Sequence, residues 1–180
     1  MFDPHAPVEI VTLRDERASD VDAIGRVIVA AFADEPQHGQ LERQIVDALR
    51  ADGALAVSLV AERDERVVGH IAFSPVSIGG APAGSHAWYG LGPLAVRPEC
   101  RRRSIGAGLV RTGLDALRRL GARGCVVLGD PAYYARFGFV PSGDLVFADA
   151  PREYFLALAF DEAAPRPSGA VRYHTAFYPA

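Results

Sequence analysis

Apolar positions change period several times along the chain, and each change marks an element. Residues 8–13 read as a short strand. Val21, Ile24, Val27, Ile28 and Ala31 then recur at helical spacing, with Ser19 placed to cap the helix and Asp20 and Asp22 favourable in its first turn. Glu35-Pro36 reads as the stop of that helix. Leu41, Ile45, Ala48 and Leu49 predict a second helix over 41–49, with Gly53 near its C-cap. Residues 54–61 and 67–73 are apolar and rich in Val and Ile. Arg63-Asp64-Glu65-Arg66 lies between them, which predicts an antiparallel hairpin ended by Pro75 and Gly79-Gly80. The next strand, 86–96, is interrupted by Gly90, Gly92 and Pro93, which predicts a bulge or a close approach to its backbone.

Leu109, Val110, Gly113, Leu114, Leu117 and Leu120 form the buried stripe of a helix over 105–120, capped by Gly121. A buried strand follows over 125–128. Pro131 opens a short helix that Gly138 terminates. Phe139-Val140 begins another strand, 154–160 is the last clear one, and 171–178 suits a tail strand. The expected class is α/β (α+β): a sheet with helices on both faces.

Composition narrows the function. A 180-residue chain that is 49% hydrophobic buries roughly 70% of its unfolded surface and needs no disulfide or metal to hold a core. The net charge of −3 gives no global bias toward nucleic acid or membrane. Cys100 and Cys125 do not form a secreted disulfide framework. No apolar run approaches the ~20 residues of a membrane span. Residues 1–7 lack the basic-then-apolar order of a signal peptide, so a cytoplasmic location is expected. All 19 basic residues are arginine, which excludes a lysine Schiff base and a Walker A loop. There is no asparagine, so no N-glycosylation acceptor exists. An arginine- and alanine-rich genome composition accounts for both absences.

The most informative run is Leu91-Gly92-Pro93-Leu94-Ala95-Val96-Arg97-Pro98-Glu99-Cys100-Arg101-Arg102-Arg103-Ser104-Ile105-Gly106-Ala107-Gly108. A strand enters an arginine-rich turn and then a helix start rich in small residues. Free helix-start amides, the macrodipole and fixed cations make this a cradle for phosphate. A tight helix start with closely packed glycines, and a solvated arginine turn, are the plainer alternatives.

The whole pattern, Val-x-Pro, arginine turn, Arg103-x-x-Gly106-x-Gly108 and helix, resembles the acetyl-CoA-binding motif of the GNAT N-acetyltransferase superfamily. Tyr134-Ala135-Arg136-Phe137-Gly138-Phe139 is similar to that family's Tyr-x-x-x-Gly-Phe segment. Gly69-His70-Ile71-Ala72-Phe73-Ser74-Pro75 and Gly129-Asp130-Pro131-Ala132-Tyr133-Tyr134 resemble a bacterial subgroup. The likeness runs over about 8–160 and implies one GNAT-like domain over 1–180, built on a central mixed, mostly antiparallel sheet flanked by helices on both faces. Ser104 stands where the family often has Gly, and Asp130 where many members have Asn.

The resemblance implies acetyl-CoA as co-substrate, no metal, and direct attack on it by a primary amine in a ternary complex. The acceptor is a small molecule or a protein or peptide, and homodimers are common in the family. By the same likeness Leu94, Ala95 and Val96 hold the pantetheine. Arg101, Arg102, Arg103, Ser104, Ile105, Gly106, Ala107 and Gly108 hold the pyrophosphate. Tyr134 matches the family's general acid, since a phenol with pKa near ~10 is protonated at neutral pH; a core aromatic is its plainer reading. Tyr133 points elsewhere on the same helix.

No general base is evident. Glu35, Glu42 and His86 are candidates to line an acceptor pocket, formed by 32–40 and 79–89, and each also suits a solvated or structural role. Arginines beside Cys100 favour its thiolate, although a lone cysteine in a turn is usually inert. His5, His38, His70, His86 and His174 show no metal-ligand spacing. Trp88 and Tyr89 suit the core or the acceptor. Two rivals stand. One is a module of this fold that only holds coenzyme A or uses the Arg101-Arg102-Arg103 patch. The other is a nicotinamide enzyme built on Gly106, Gly108 and Asp130. Arg111 in place of the third glycine, and the long run from Val96 to Gly106, oppose the latter.

Overall fold

The computed structural model describes residues 10–178. The chain runs β1 (Val11–Asp15), α1 (Val21–Ala31), α2 (Pro36–Ala51), β2 (Val57–Arg63), β3 (Arg66–Pro75), β4 (Ser77–Ile78) and β5 (Trp88–Val96). It continues through α3 (Ile105–Arg119), β6 (Gly124–Leu128), α4 (Pro131–Tyr134), β7 (Val140–Pro141), β8 (Leu145–Val146), β9 (Phe155–Ala159) and β10 (Gly169–Arg172). The expected start of the first strand at Val8 lies outside the described residues. No helix among the described residues is long and apolar enough to cross a membrane.

Seven strands form the main sheet in the order β1-β2-β3-β5-β6-β9-β7. Every neighbouring pair is antiparallel except β5 and β6, which run parallel and are joined through α3. Strand alternation divides the core into two layers. Leu59, Ala61, Ile71 and Phe73 meet Leu109, Leu114 and Leu117 of α3. Val60, Ala72 and Ala95, one residue out of phase, meet Ile24, Val27 and Ile28 of α1. A small sheet, β4-β10-β8, covers Trp88, Val126 and Phe155. The mixed sheet with helices on both faces is the expected class.

Local departures have local causes. Pro36 begins α2 instead of merely stopping α1: it occupies the first turn, where its missing N–H has no partner to lose. Residues 36–40 lack an apolar stripe because Gly39 brings this turn against α1. A Cβ there would lie 3.2 Å from Phe32 Cβ and 3.3 Å from Val29 Cα. Ser19 caps nothing and sits in the 3-10 turn Ala18–Asp20. Asp20 instead accepts from the Arg17 N–H at 2.7 Å and pairs with Arg14 at 2.6 Å. Leu120 is 58% exposed, outside the expected stripe, because α3 ends at Arg119 and Gly121 turns the chain away at φ +79°. The tail strand stops at Arg172, and a 3-10 turn, Thr175–Phe177, follows with His174 Nδ1 accepting from the Ala176 N–H at 3.2 Å.

Helix α2 is fastened to the sheet by a polar chain. Arg50 Nε donates to Glu16 Oε1 at 2.5 Å, Ser58 Oγ donates to Glu16 Oε2, and Ser58 Oγ lies 2.9 Å from His70 Nε2. His70 is fully buried, and its Nδ1 has no hydrogen-bond partner. Burial pushes its pKa down to about 4, with Glu16 opposing and Arg50 assisting. Burial of Glu16 is outweighed by Arg50, Ser58 and the nearby imidazole, which hold its carboxyl below the usual range. The unfolded chain therefore binds the histidine proton first. Stability present at pH 7 is lost as pH falls from about 6.5 through about 4. We expect a loss of roughly 3 kcal/mol across that window in urea unfolding, and a flatter pH profile for His70→Gln.

Candidate active site

The site begins where two parallel strands part. β5 pairs with β6 only from Trp88↔Gly124 to Leu91↔Val127, whereas along β3 it continues to Val96. Beyond Leu91 no strand among the described residues covers the β6-facing edge of β5. A bulge sets which groups that edge presents. Between the pairs Phe73↔Leu91 and Ile71↔Leu94, β5 carries one residue more than β3, at the expected Gly92-Pro93 position. Before the bulge, Trp88 O accepts from Val76 N on the β3 side; after it, Arg97 N donates to Val68 O. Backbone groups alternate between edges along an antiparallel ladder. The extra residue therefore turns the Ala95 groups toward β3, and those of Leu94 and Val96 toward the open edge.

The chain next enters a 3-10 turn, Pro98–Cys100, and then α3. Gly108 N donates to Ser104 O at 2.9 Å, the first bond of the helix. The amides of Ile105, Gly106 and Ala107 precede it and have no intrahelical acceptor. Ser104 adopts φ +60°, the left-handed region that favours glycine, and Arg102 adopts φ +61°. The backbone thus takes the glycine-like course even though a serine occupies the position.

A cavity of about 520 Å³ fills the angle between this turn and α4. Leu94 and Val96 form one wall. Arg101, Arg102, Ser104, Ile105, Gly106 and Ala107 form another. Tyr133 and Arg136 close the third, with the Arg136 guanidinium 4.7 Å from the Tyr133 ring centre. Gly106 leaves room for Tyr133: a Cβ would stand 3.0 Å from its hydroxyl. Arg101 also donates to Ala31 O at the end of α1. Three expected ligands lie elsewhere. Ala95 is 1% exposed in the α1 layer, and Gly108 faces Leu13, whose Cδ1 would be 3.1 Å from a Cβ. Arg103 is exposed and outside the lining of the cavity.

A second cavity, about 460 Å³, lies across Leu94, which lines both. It takes Leu91 to Leu94 from β5, His38 and Glu42 from α2, and Phe177 and Tyr178 from the tail. Tyr134 lines it from α4. That helix starts on Asp130, whose Oδ1 accepts from the Ala132 N–H at 2.9 Å. Burial raises the Tyr134 pKa well above the ordinary phenol value, with Tyr133 and Cys125 acting in the same direction. The phenol is therefore a proton donor and not an anion at neutral pH. Adjacent tyrosines on one short helix thus face different cavities.

A family model described as the acetyltransferase (GNAT) family matches residues 20–139. The chain belongs to this family. A GNAT family acetyltransferase from Brucella melitensis, solved in complex with acetyl-CoA, is 49% identical. The match covers 94% of this chain and 99% of that one at a TM-score of 0.80. The YhbS GNAT family N-acetyltransferase from Escherichia coli, solved with CoA, is 34% identical. That match covers 98% and 97% of the two chains at a TM-score of 0.88. Among curated proteins, YhbS of Escherichia coli K12, called an uncharacterized N-acetyltransferase, is 46% identical over 99 residues, 54% of this chain and 58% of its own length. The aligned region thus spans under two thirds of that curated relative.

Within this GNAT chain, Glu42 lines the second cavity, while Glu35 is exposed and His86 lines neither cavity. Of the segments expected around an acceptor, 32–40 contributes Phe32 and His38. Residues 79–89 contribute nothing; Phe147, Tyr173, Phe177 and Tyr178 take that role. Trp88 is core. The dinucleotide alternative fails locally, because a 3-10 turn separates β5 from the glycines and Asp130 caps α4. The sequence reading set Tyr133 aside and gave Arg136 no role, and it placed His38 in a pocket segment without singling it out. Only the spacing of Tyr133 and Arg136, one helical turn apart, hinted at a shared face. Cys100 is 1% exposed, and the fully buried Cys125 thiol is pushed far above its usual pKa by burial. A native-state thiol titration with a disulfide reagent should find no fast-reacting cysteine, and both should react after unfolding in guanidinium.

Proposed function

We propose that the protein transfers the acetyl group of acetyl-CoA to a primary amine, by direct attack in a ternary complex. The observation that carries this reading is the open edge of β5, running from an arginine-lined cavity at a helix start to an apolar cavity that holds a phenol. The Brucella melitensis and Escherichia coli proteins of the same fold contain acetyl-CoA and CoA, respectively.

In this reading the Ile105, Gly106 and Ala107 amides, with Arg102 beside them, hold the pyrophosphate. Leu94 and Val96 offer their backbone groups to the pantetheine amides, as an added strand would, and the carbonyl that becomes an oxyanion lies against them. Tyr134 gives its proton to the departing thiolate. The amine enters from the second cavity. Its nitrogen adds to the thioester carbonyl to form the C–N bond, and the C–S bond breaks as the tetrahedral oxyanion collapses. Of the two protons it sheds, one is released and the other restores the phenol. The reading includes no covalent relay through cysteine: Cys125 is buried, and Cys100, although in the lining of the first cavity, is only 1% exposed.

Two variants test the assignment. Acetyl-CoA at 100 times its dissociation constant should raise the wild-type Tm by roughly 5–10 °C, and Gly106→Val should fold but lose that shift. Tyr134→Phe should keep the shift while kcat falls about 100-fold on any amine the wild type acetylates. A Tyr134→Phe enzyme with unchanged kcat would remove the phenol from the chemistry.

A further inference from the structure

The two cavities differ in charge. The first carries Arg101, Arg102 and Arg136; among the described residues lining the second there is no arginine. Among the described residues lining it the one carboxylate is Glu42, and Glu42 is oriented. His38, one helical turn earlier, places Nε2 3.1 Å from Glu42 Oε1. The imidazole is fixed by stacking on Phe32, with ring centres 4.9 Å apart and planes within 8°, and its Nδ1 lies 3.5 Å from Glu35 Oε2. Glu42 Oε2 has no hydrogen-bond partner among the described residues. The side chain is only 19% exposed, and burial raises its pKa while the imidazole opposes the rise. Around it Ile45, Leu91, Val127, Phe147 and Phe177 make an apolar wall.

We infer that the acceptor is a primary amine on an apolar or aromatic body without a carboxylate of its own, and that Glu42, oriented by His38, takes up its ammonium group. The inference rests on the transferase reading above. A cation leaving water for a largely apolar cavity requires a carboxylate with a vacant acceptor, and Glu42 Oε2 supplies one. A carboxylate on the ligand would meet no guanidinium and would face Glu42 itself. The aromatic and aliphatic wall then rewards a body that buries apolar surface. A polar acceptor such as an amino alcohol gains only the ion pair.

The test follows release of the CoA thiol at saturating acetyl-CoA, with 2-phenylethylamine, hexylamine, phenylalanine and ethanolamine as acceptors. The first two should exceed phenylalanine and ethanolamine in kcat/KM by about 100-fold. Glu42→Gln should raise KM for 2-phenylethylamine by about 30-fold or more, because one partner of a desolvated charge pair is lost. Its acetyl-CoA thermal shift should be unchanged, which also reports that the variant is folded. Should the variant not fold, the acceptor series on the wild type decides. Equal rates for phenylalanine and 2-phenylethylamine, no turnover of either apolar amine, or an unaltered KM in Glu42→Gln would overturn the inference. Absence of any acetyl-CoA shift in the wild type would instead overturn the transferase reading on which it stands.

Discussion

Everything in this molecule is arranged around an unfinished hydrogen-bond ladder. Buried backbone N–H and C=O groups are nearly always paired. β5 leaves the Leu94 and Val96 groups facing a gap because β6 ends at Leu128 while β5 runs on to Val96. The main sheet must be large enough to tolerate that gap. β3 secures the other edge of β5 along its length, and α1 and α3 clamp both faces. The bulge at Gly92-Pro93 is then more than an irregularity. Without the extra residue, the opposite set of groups would face the gap, and Ala95 would replace Leu94 and Val96 there.

The same strand separates two electrostatic environments. On one side a helix start and several arginines collect positive potential, which suits a polyanion. On the other, the carboxylate of Glu42 stands among mostly apolar side chains. Leu94 is the boundary between them. The two sides of the strand thus differ in the sign of the charge they present. The tyrosine pair at the end of β6 follows the same division, with Tyr133 facing the arginines and Tyr134 the apolar side.

Much of this was legible in the chain. The helix 105–119 and the hairpin were clear from their periods, and the bulge was marked by glycine and proline inside an apolar run. The arginine-rich helix start that lines the first cavity was visible because the arginines, Ser104 and the glycines are contiguous. What escaped detection depends on long-range packing. Nothing local singles out Gly39, which is a close contact with α1. Ala95 and Gly108 belonged to the motif by position, yet strand parity and helix phase turn them into the core and toward β1. Phe147, Tyr173, Phe177 and Tyr178 are far from the motif in sequence. They reach the second cavity only because β10 adds to β4 and β8 and returns the tail to α2. Nothing local in the chain encodes that return.

Helix α2 behaves as a beam on two supports. One is the Gly39 contact with α1, near its start; the other is Arg50, joined through Glu16 and Ser58 to the sheet near its end. Glu42 sits on the span between them. A change at either support acts on the wall of the apolar cavity through α2, which contributes no residue to the lining of the arginine cavity. The fold therefore lets the apolar cavity change shape through residues outside its lining.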